Sequence, residues 1–242
     1  MPKIVDIPTV VREAMANFDD LFRNDPQRRH VAEYLVGLMV ARKKNIGGMC
    51  AEFAVTTDQS CWNRFVREVD WDAKALNERR LEVLQQDPAT QYHDHGVIAI
   101  DDVLIDHDGK LIEDVGWIWD HAEDRYKIAH DYLFVNYVCS SGKHYPLEFR
   151  VFKKRDQCEA KGEKFQDHGV LFRQLIDWVA ERNIPGDFTF DSYFSSAENL
   201  NHIHSKQDRF ERPRGYVGDL KSNRKLWYRG GEIKAEELAA SI

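Results

Sequence analysis

A change of hydrophobic period near residue 90 restricts the fold of this chain more than any other feature. Upstream, apolar side chains recur at helical spacing; downstream they come in short runs that suit extended strands. Val31, Tyr34, Leu35 and Leu38 fall at i, i+3, i+4 and i+7, and Phe18, Leu21 and Phe22 do the same one segment earlier. Asp58 can cap a helix through Trp62, Phe65, Val66 and Val69. Asp72 can start another through Ala75, Leu76, Arg79, Arg80 and Val83, and Asp87-Pro88 ends it. Residues 9–86 therefore read as an all-helical unit, with Arg79 and Arg80 as solvent-facing helix charges.

Beyond residue 95 the apolar runs are Val97–Ile100 and, past Asp101-Asp102, Val103-Leu104-Ile105, with a turn at Asp106–Gly109. Ile128–Val138 and Tyr145–Phe152, joined by Ser140-Ser141-Gly142-Lys143, predict an antiparallel hairpin. Residues 168–182 predict a helix with Leu171, Leu175, Trp178 and Val179 on one face, broken by Asn183-Ile184-Pro185-Gly186. Phe188–Phe190 is a short strand, Ser195 or Ser196 caps a helix through Leu200 and Ile203, and Gly215–Leu220 is a further strand. A meander followed by alternating helices and strands predicts a mixed sheet flanked by helices. The fold class is thus α+β, mixed: a helical region over 1–90, then a unit over 91–242 whose element order is that of the ribonuclease H-like fold, an order several other mixed folds share.

Two aspartates stand at the ends of apolar strands: Asp101, with Asp102 beside it, and Asp191. In a mixed sheet the first and fourth strands can be neighbours, which would bring these carboxylates together. Their repulsion would raise one pKa unless a cation lies between them. Hard oxygen ligands of this kind suit Mg²⁺ or Mn²⁺, and such ions serve phosphoryl transfer. Asp101 and Asp102 project to opposite faces of an extended strand, so one of them is the ligand; Asp101 is preferred, with Asp102 the alternative. Capping strands and opening turns is the competing use of these aspartates.

The formal charge is 34 − 41 = −7, so contact with nucleic acid must be local. Residues 203–230 hold eight Lys/Arg (Lys206, Arg209, Arg212, Arg214, Lys221, Arg224, Lys225, Arg229) against three acids, a local net of +5. Phe210, Tyr216, Trp227 and Tyr228 are interleaved with them. Such a stretch suits the DNA backbone, where neutralised phosphates release counterions. Arg42-Lys43-Lys44 is either a helix end favoured by the dipole or a phosphate-contacting loop.

Several classes are set aside. No apolar run is long enough to span a membrane, and residues 1–6 do not look like a secretory signal. Cys50, Cys61, Cys139 and Cys158 lie 11, 78 and 19 residues apart, spacings of thiols in a reducing cytoplasm rather than of a zinc knuckle. The pairs His93/His95 and His202/His204 lack further ligands at metal spacing, and His130 reads as packed or surface-lying. Neither a Gly-x-Ser-x-Gly elbow nor a phosphate-cradling Gly-rich loop is present, which argues against a serine hydrolase or an ATP-driven enzyme.

Four segments in order resemble the DDE-type transposases of bacterial and archaeal insertion sequences. Ala99-Ile100-Asp101-Asp102-Val103-Leu104-Ile105 resembles the first-aspartate strand, and Phe190-Asp191-Ser192-Tyr193-Phe194-Ser195 the second. Tyr216–Lys225 resembles the strand and basic turn that follow; Tyr34–Leu38, Arg42–Ile46 and Trp71-Asp72 resemble the N-terminal helical region. The resemblance implies metal-dependent cleavage and strand transfer at transposon ends, with Asp101 and Asp191 as catalytic ligands of two Mg²⁺ or Mn²⁺ ions. It implies a helical end-recognition region, double-stranded DNA as partner (transposon ends and target), and homo-oligomers on DNA in the prokaryotic cytoplasm at the nucleoid, with no membrane. Arg42, Lys43, Lys44, Arg212, Arg214, Lys221, Arg224 and Lys225 are the expected DNA contacts. The family also carries a third acid, a glutamate on a later helix. Only 51 residues follow Asp191, and Glu232, Glu236 and Glu237 come too soon after the basic turn, so the third acid stays unassigned. The catalytic fold is therefore expected to be incomplete at its C-terminus, as a fragment, split frame or degenerate copy. A catalytically inactive DNA-binding remnant and a structure-specific nuclease are the other readings.

Overall fold

The computed structural model describes residues 3–109 and 112–241. The chain divides into two compact units, Met1–Gln86 and Asp87–Ile242.

The first unit is helical: α1 (Thr9–Met15), a 3-10 turn (Ala16–Leu21), α2 (Asp25–Val40), α3 (Ile46–Cys50), α4 (Gln59–Glu68) and α5 (Ala73–Leu84). Side-chain oxygens start four of these helices by accepting N-terminal N–H groups: Asn24 from Gln27, Asn45 from Gly48, Asp58 from Ser60 and Asp72 from Ala75. Val36, Met49, Phe53, Trp62 and Phe65 form its core. The apolar stripe of α2 differs from the sequence expectation. Residues 30–33, 36 and 37 are buried, whereas Leu35 and Leu38 are 39% and 37% exposed. The reason is close approach: a Cβ on Gly37 would lie 2.8 Å from Met49 Cβ, so the small-residue side of α2 receives α3. Glu33 is buried on the same side, held by Arg29 (2.8 Å) and Thr56 (3.3 Å). Arg79 also departs from expectation. It grips Asp20 through two nitrogens (2.8 and 2.9 Å) and bonds Asn17 O (2.6 Å), tying α5 to the 3-10 turn.

The second unit contains β1 (Val97–Asp106), β2 (Gly116–Asp120), β3 (Arg125–Val138), β4 (His144–Phe152), α6 (Arg155–Lys161), α7 (His168–Glu181), β5 (Asp187–Phe190), α8 (Ala197–His204), β6 (Tyr216–Gly218), β7 (Lys225–Tyr228), β8 (Gly231–Lys234) and α9 (Ala235–Ala239). Six strands form one sheet, ordered β2-β3-β1-β5-β6 with β4 also on β3; β7 and β8 form a separate hairpin. Pairings among β1–β4 are antiparallel, and β1–β5 and β5–β6 are parallel. This mixed α/β architecture agrees with the ribonuclease H-like fold. Additions to the sequence reading are β2, α6 and the β7–β8 hairpin.

One strand is longer than expected. Asp101-Asp102 does not end β1: all ten residues from Val97 to Asp106 pair with β3, from Val138 back to Ala129. The backbone ladder is indifferent to side-chain charge, so a long partner strand carries β1 through its two acids. What ends near Asp101 is instead the parallel pairing with β5. Ile98, Ile100, Leu133, Val135 and Phe188 are buried in the sheet, and Phe172, Leu175, Ile176 and Val179 of α7 are fully buried. The Phe172 ring meets Phe190 edge-on at 5.2 Å and stacks on Phe194 at 4.8 Å. At the entry to β5, Gly186 has φ +124°, and a Cβ there would lie 2.4 Å from Gly96 O; glycine alone suits this junction.

Candidate active site

The register of the two parallel strands decides where the acids go. Val97 pairs with Asp187, Ile98 with Phe188 and Ala99 with Thr189. Continued residue by residue, this register sets Asp101 beside Asp191, just beyond the last ladder pair. Burial, together with the negative charge of Asp191, raises the Asp101 carboxyl above its ordinary range. Each carboxylate also has a local backbone donor: Asp101 Oδ1 accepts from Asp102 N (3.0 Å), and Asp191 Oδ1 accepts from Tyr193 N (2.9 Å). Ser195 Oγ donates to Asp219 O (2.5 Å), linking the Asp191 turn to the segment after β6.

On the opposite face of β1, the face of Ile98 and Ile100, lies Asp102. Burial raises its carboxyl, and the charges of Asp131 and Asp101 add to the rise, while His168 opposes it. Asp131, on the neighbouring β3, is buried; its Oδ2 is 2.8 Å from Nε2 of His168, the first residue of α7. Its Oδ1 is buried with no hydrogen-bond partner among the described residues. The His168 ring is fixed by stacking on Phe152 (4.1 Å, 21°), with Tyr193 edge-on at 5.7 Å. The Tyr193 hydroxyl is pushed up by burial and then by Asp102, Asp131, Asp167 and Asp191 in turn. Asp131, His168 and Tyr193 were not expected from the sequence. A charged residue within the apolar run 128–138 was the available signal for Asp131.

A family model described as DDE superfamily endonuclease matches residues 17–238. The chain belongs to this family. A comparison with curated proteins gave no match. Membership carries a nuclease- or transposase-type function, with DNA as the substrate.

The carboxylates of Asp101, Asp102 and Asp191 suit a divalent cation chemically. Among the described residues, Asp101, Asp102 and Asp191 have no ion-pair partner, and hard carboxylate oxygens that repel one another are the donors such an ion satisfies. Yet no group of three or more His, Cys, Asp or Glu among the described residues is arranged to hold a metal ion. Glu232 is paired with Lys225 (2.6 Å), and Glu237 accepts from Lys234 N at the start of α9. The four cysteines are free thiols. His202 pairs with Asp177 (2.8 Å), and His130 is packed between His107 (2.8 Å) and Glu113 O (2.6 Å).

The expected DNA contacts of this DDE-family chain fall into three groups. Arg42 and Lys43 are exposed after α2, where Lys44 Nζ donates to Leu38 O. Lys221 is exposed and Arg224 half-buried, whereas Lys225 is paired with Glu232 and Arg212 grips Asp208 (2.6 and 2.9 Å). Burial alone would push the Asp208 carboxyl up, but Arg212 and two backbone N–H donors hold it down to about 2. Arg214 is a correction. It is 3% exposed, and its guanidinium donates to Ile184 O (2.6 Å), Gly186 O (3.2 Å) and Gln207 O (3.3 Å). A side chain enclosed in this way braces the fold and is closed to a phosphate. No helix among the described residues is long and apolar enough to cross a membrane.

Proposed function

We propose that this chain serves metal-dependent phosphodiester cleavage and strand transfer at transposon ends, with Asp101 and Asp191 as its divalent-cation ligands. The carrying observation is the register of β1 and β5, whose continuation pairs the two carboxylates at one end of the sheet. Asp101 and Asp191 would hold a Mg²⁺ or Mn²⁺ ion, which would supply activation of the attacking oxygen and neutralisation of charge on the leaving oxygen of the phosphodiester. The chain's own residues supply the framework. Asp101 and Asp191 present carboxylates in register, the 3-10 turn after Asp191 fixes one of them, and Phe172 locks that turn to α7. Exposed cations at Arg42, Lys43, Lys44 and Lys221, with the half-buried Arg224, hold the duplex backbone. The helical region serves end recognition, and homo-oligomers bring paired ends together in the prokaryotic cytoplasm at the nucleoid.

Metal-dependent nicking of supercoiled DNA tests this reading. With Mn²⁺ or Mg²⁺ the unaltered chain nicks, and Asp191→Asn loses at least about a hundredfold in rate. Equal nicking by the mutant sinks the ligand assignment. A second reading, a DNA-binding chain that does not cut, is favoured by the lack of a three-ligand group among the described residues. It predicts DNA binding that weakens steeply with salt and no nicking by either protein.

A further inference from the structure

At the opposite end of the same strands, β1 and β5 begin beside a pocket of about 520 Å³ that includes Asp94, His95, Asp187, Arg209, Phe210 and Arg212 in its lining. Four residue steps along β5 separate Asp187 from Asp191, about 13 Å at the rise of a strand, so this pocket is distinct from the carboxylate site. Its rim is a hydrogen-bonded loop. Asp208 accepts from Phe210 N (2.8 Å) and Arg212 N (3.0 Å), and Asp208 N donates to Arg212 O (2.8 Å). Glu211 closes the turn in the left-handed region, φ +60°. Beneath it, Arg214 pins the loop to the entry of β5 through Ile184 O and Gly186 O.

This loop holds Phe210 at 55% exposure, with the Arg209 and Arg212 guanidinia each 4.9 Å from its ring centre. The result is a cluster of planar groups, with both guanidinium groups over the Phe210 ring, and aromatic rings and guanidinium planes are what exposed nucleobases stack on. The charges exclude a simple anion site. Arg209 is paired with Asp94, Arg212 with Asp208, and Arg214 is enclosed, so three arginines are balanced by Asp94, Asp187 and Asp208. A flat, uncharged ring bearing amino donors fits this setting better than a bare phosphate does, because the Asp187 carboxylate can accept from an exocyclic amine. In a duplex the faces of the bases are covered by their neighbours; only an unpaired base offers one.

We propose that this pocket holds one unpaired nucleotide of a DNA strand, its base stacked on the Arg209–Phe210–Arg212 cluster. This rests on the reading that the chain binds DNA. The loop is already braced, so little ordering is needed on binding.

Fluorescence anisotropy with the full chain tests the proposal, using a blunt duplex and the same duplex with a 3′ oligo(dA) tail containing 2-aminopurine. The tail is expected to tighten binding by the unaltered chain about tenfold and to quench the 2-aminopurine. Phe210→Ala loses the gain from the tail and keeps its affinity for the blunt duplex; Phe210→Trp keeps both. Absence of quenching by the unaltered chain overturns the proposal independently of any variant. So does a tail gain that survives in Phe210→Ala, or an equal loss of both affinities in a Phe210→Ala protein with an unchanged circular dichroism spectrum. In these cases binding of the blunt duplex by the unaltered chain still supports the DNA reading. Failure of the unaltered chain to bind either probe overturns both.

Discussion

Asp101, Asp131 and Arg214 show how neighbours set the meaning of a charged side chain. Asp101 has an ordinary value of 3.8, raised by burial and by the Asp191 charge, so the native state holds its proton more tightly than the unfolded chain does. Its favourable contribution is complete below the unfolded value and is lost as pH rises through the native one. Without divalent cation, Asp101→Asn is therefore expected to stabilise the protein at pH 7 and to have little effect at pH 3. Urea unfolding at the two pH values measures the difference; an equal effect at both would contradict it. Arg214 gives the opposite case. Arg214→Met leaves three backbone carbonyls without their donor, so a loss of about 1–3 kcal/mol is expected in the same measurement.

At the scale of elements, the site depends on the junction where β5 enters the sheet. Gly186 allows Asp187 N to reach Gly96 O (3.2 Å), which starts the parallel register whose continuation reaches Asp101 and Asp191. Gly186→Ala combines a φ of +124° with a Cβ only 2.4 Å from that carbonyl. A destabilisation of about 1–3 kcal/mol follows, together with faster amide exchange along β5. Hydrogen exchange that stays unchanged in β5 would show that the junction does not set the register. α7 contributes differently. Its buried face anchors the helix on the sheet, and its first residue, His168, is thereby delivered to Asp131.

For the whole molecule, a net charge of −7 conceals a stretch whose cations are unequal in use. Lys221 is exposed, whereas Arg214 is enclosed. Lys221→Ala is expected to reduce the slope of log affinity for DNA against log salt by about 1, and Arg214→Met to leave it unchanged. Binding titrations over a range of salt check both, and a slope indifferent to Lys221 would remove it from the interface. Much of the architecture was legible in local sequence. The helical period before residue 90, the caps at Asp58 and Asp72, the hairpin closed by Gly142 and the apolar face of α7 are all decided within a few residues of themselves. The strand sequences carrying Asp101 and Asp191 were legible for the same reason, since an acid after an apolar run stands out. Which face of α2 is buried, whether β1 stops at its acids, and that Asp131 meets His168 were not legible. Those outcomes depend on partners distant in sequence: Met49 against Gly37, the full length of β3, and the docking of α7. Hydrophobic period and capping are properties of neighbours along the chain, so the sequence determines them directly. The register that aligns β1 with β5, and the burial that closes one arginine while exposing a lysine, are decided only when separate segments pack together.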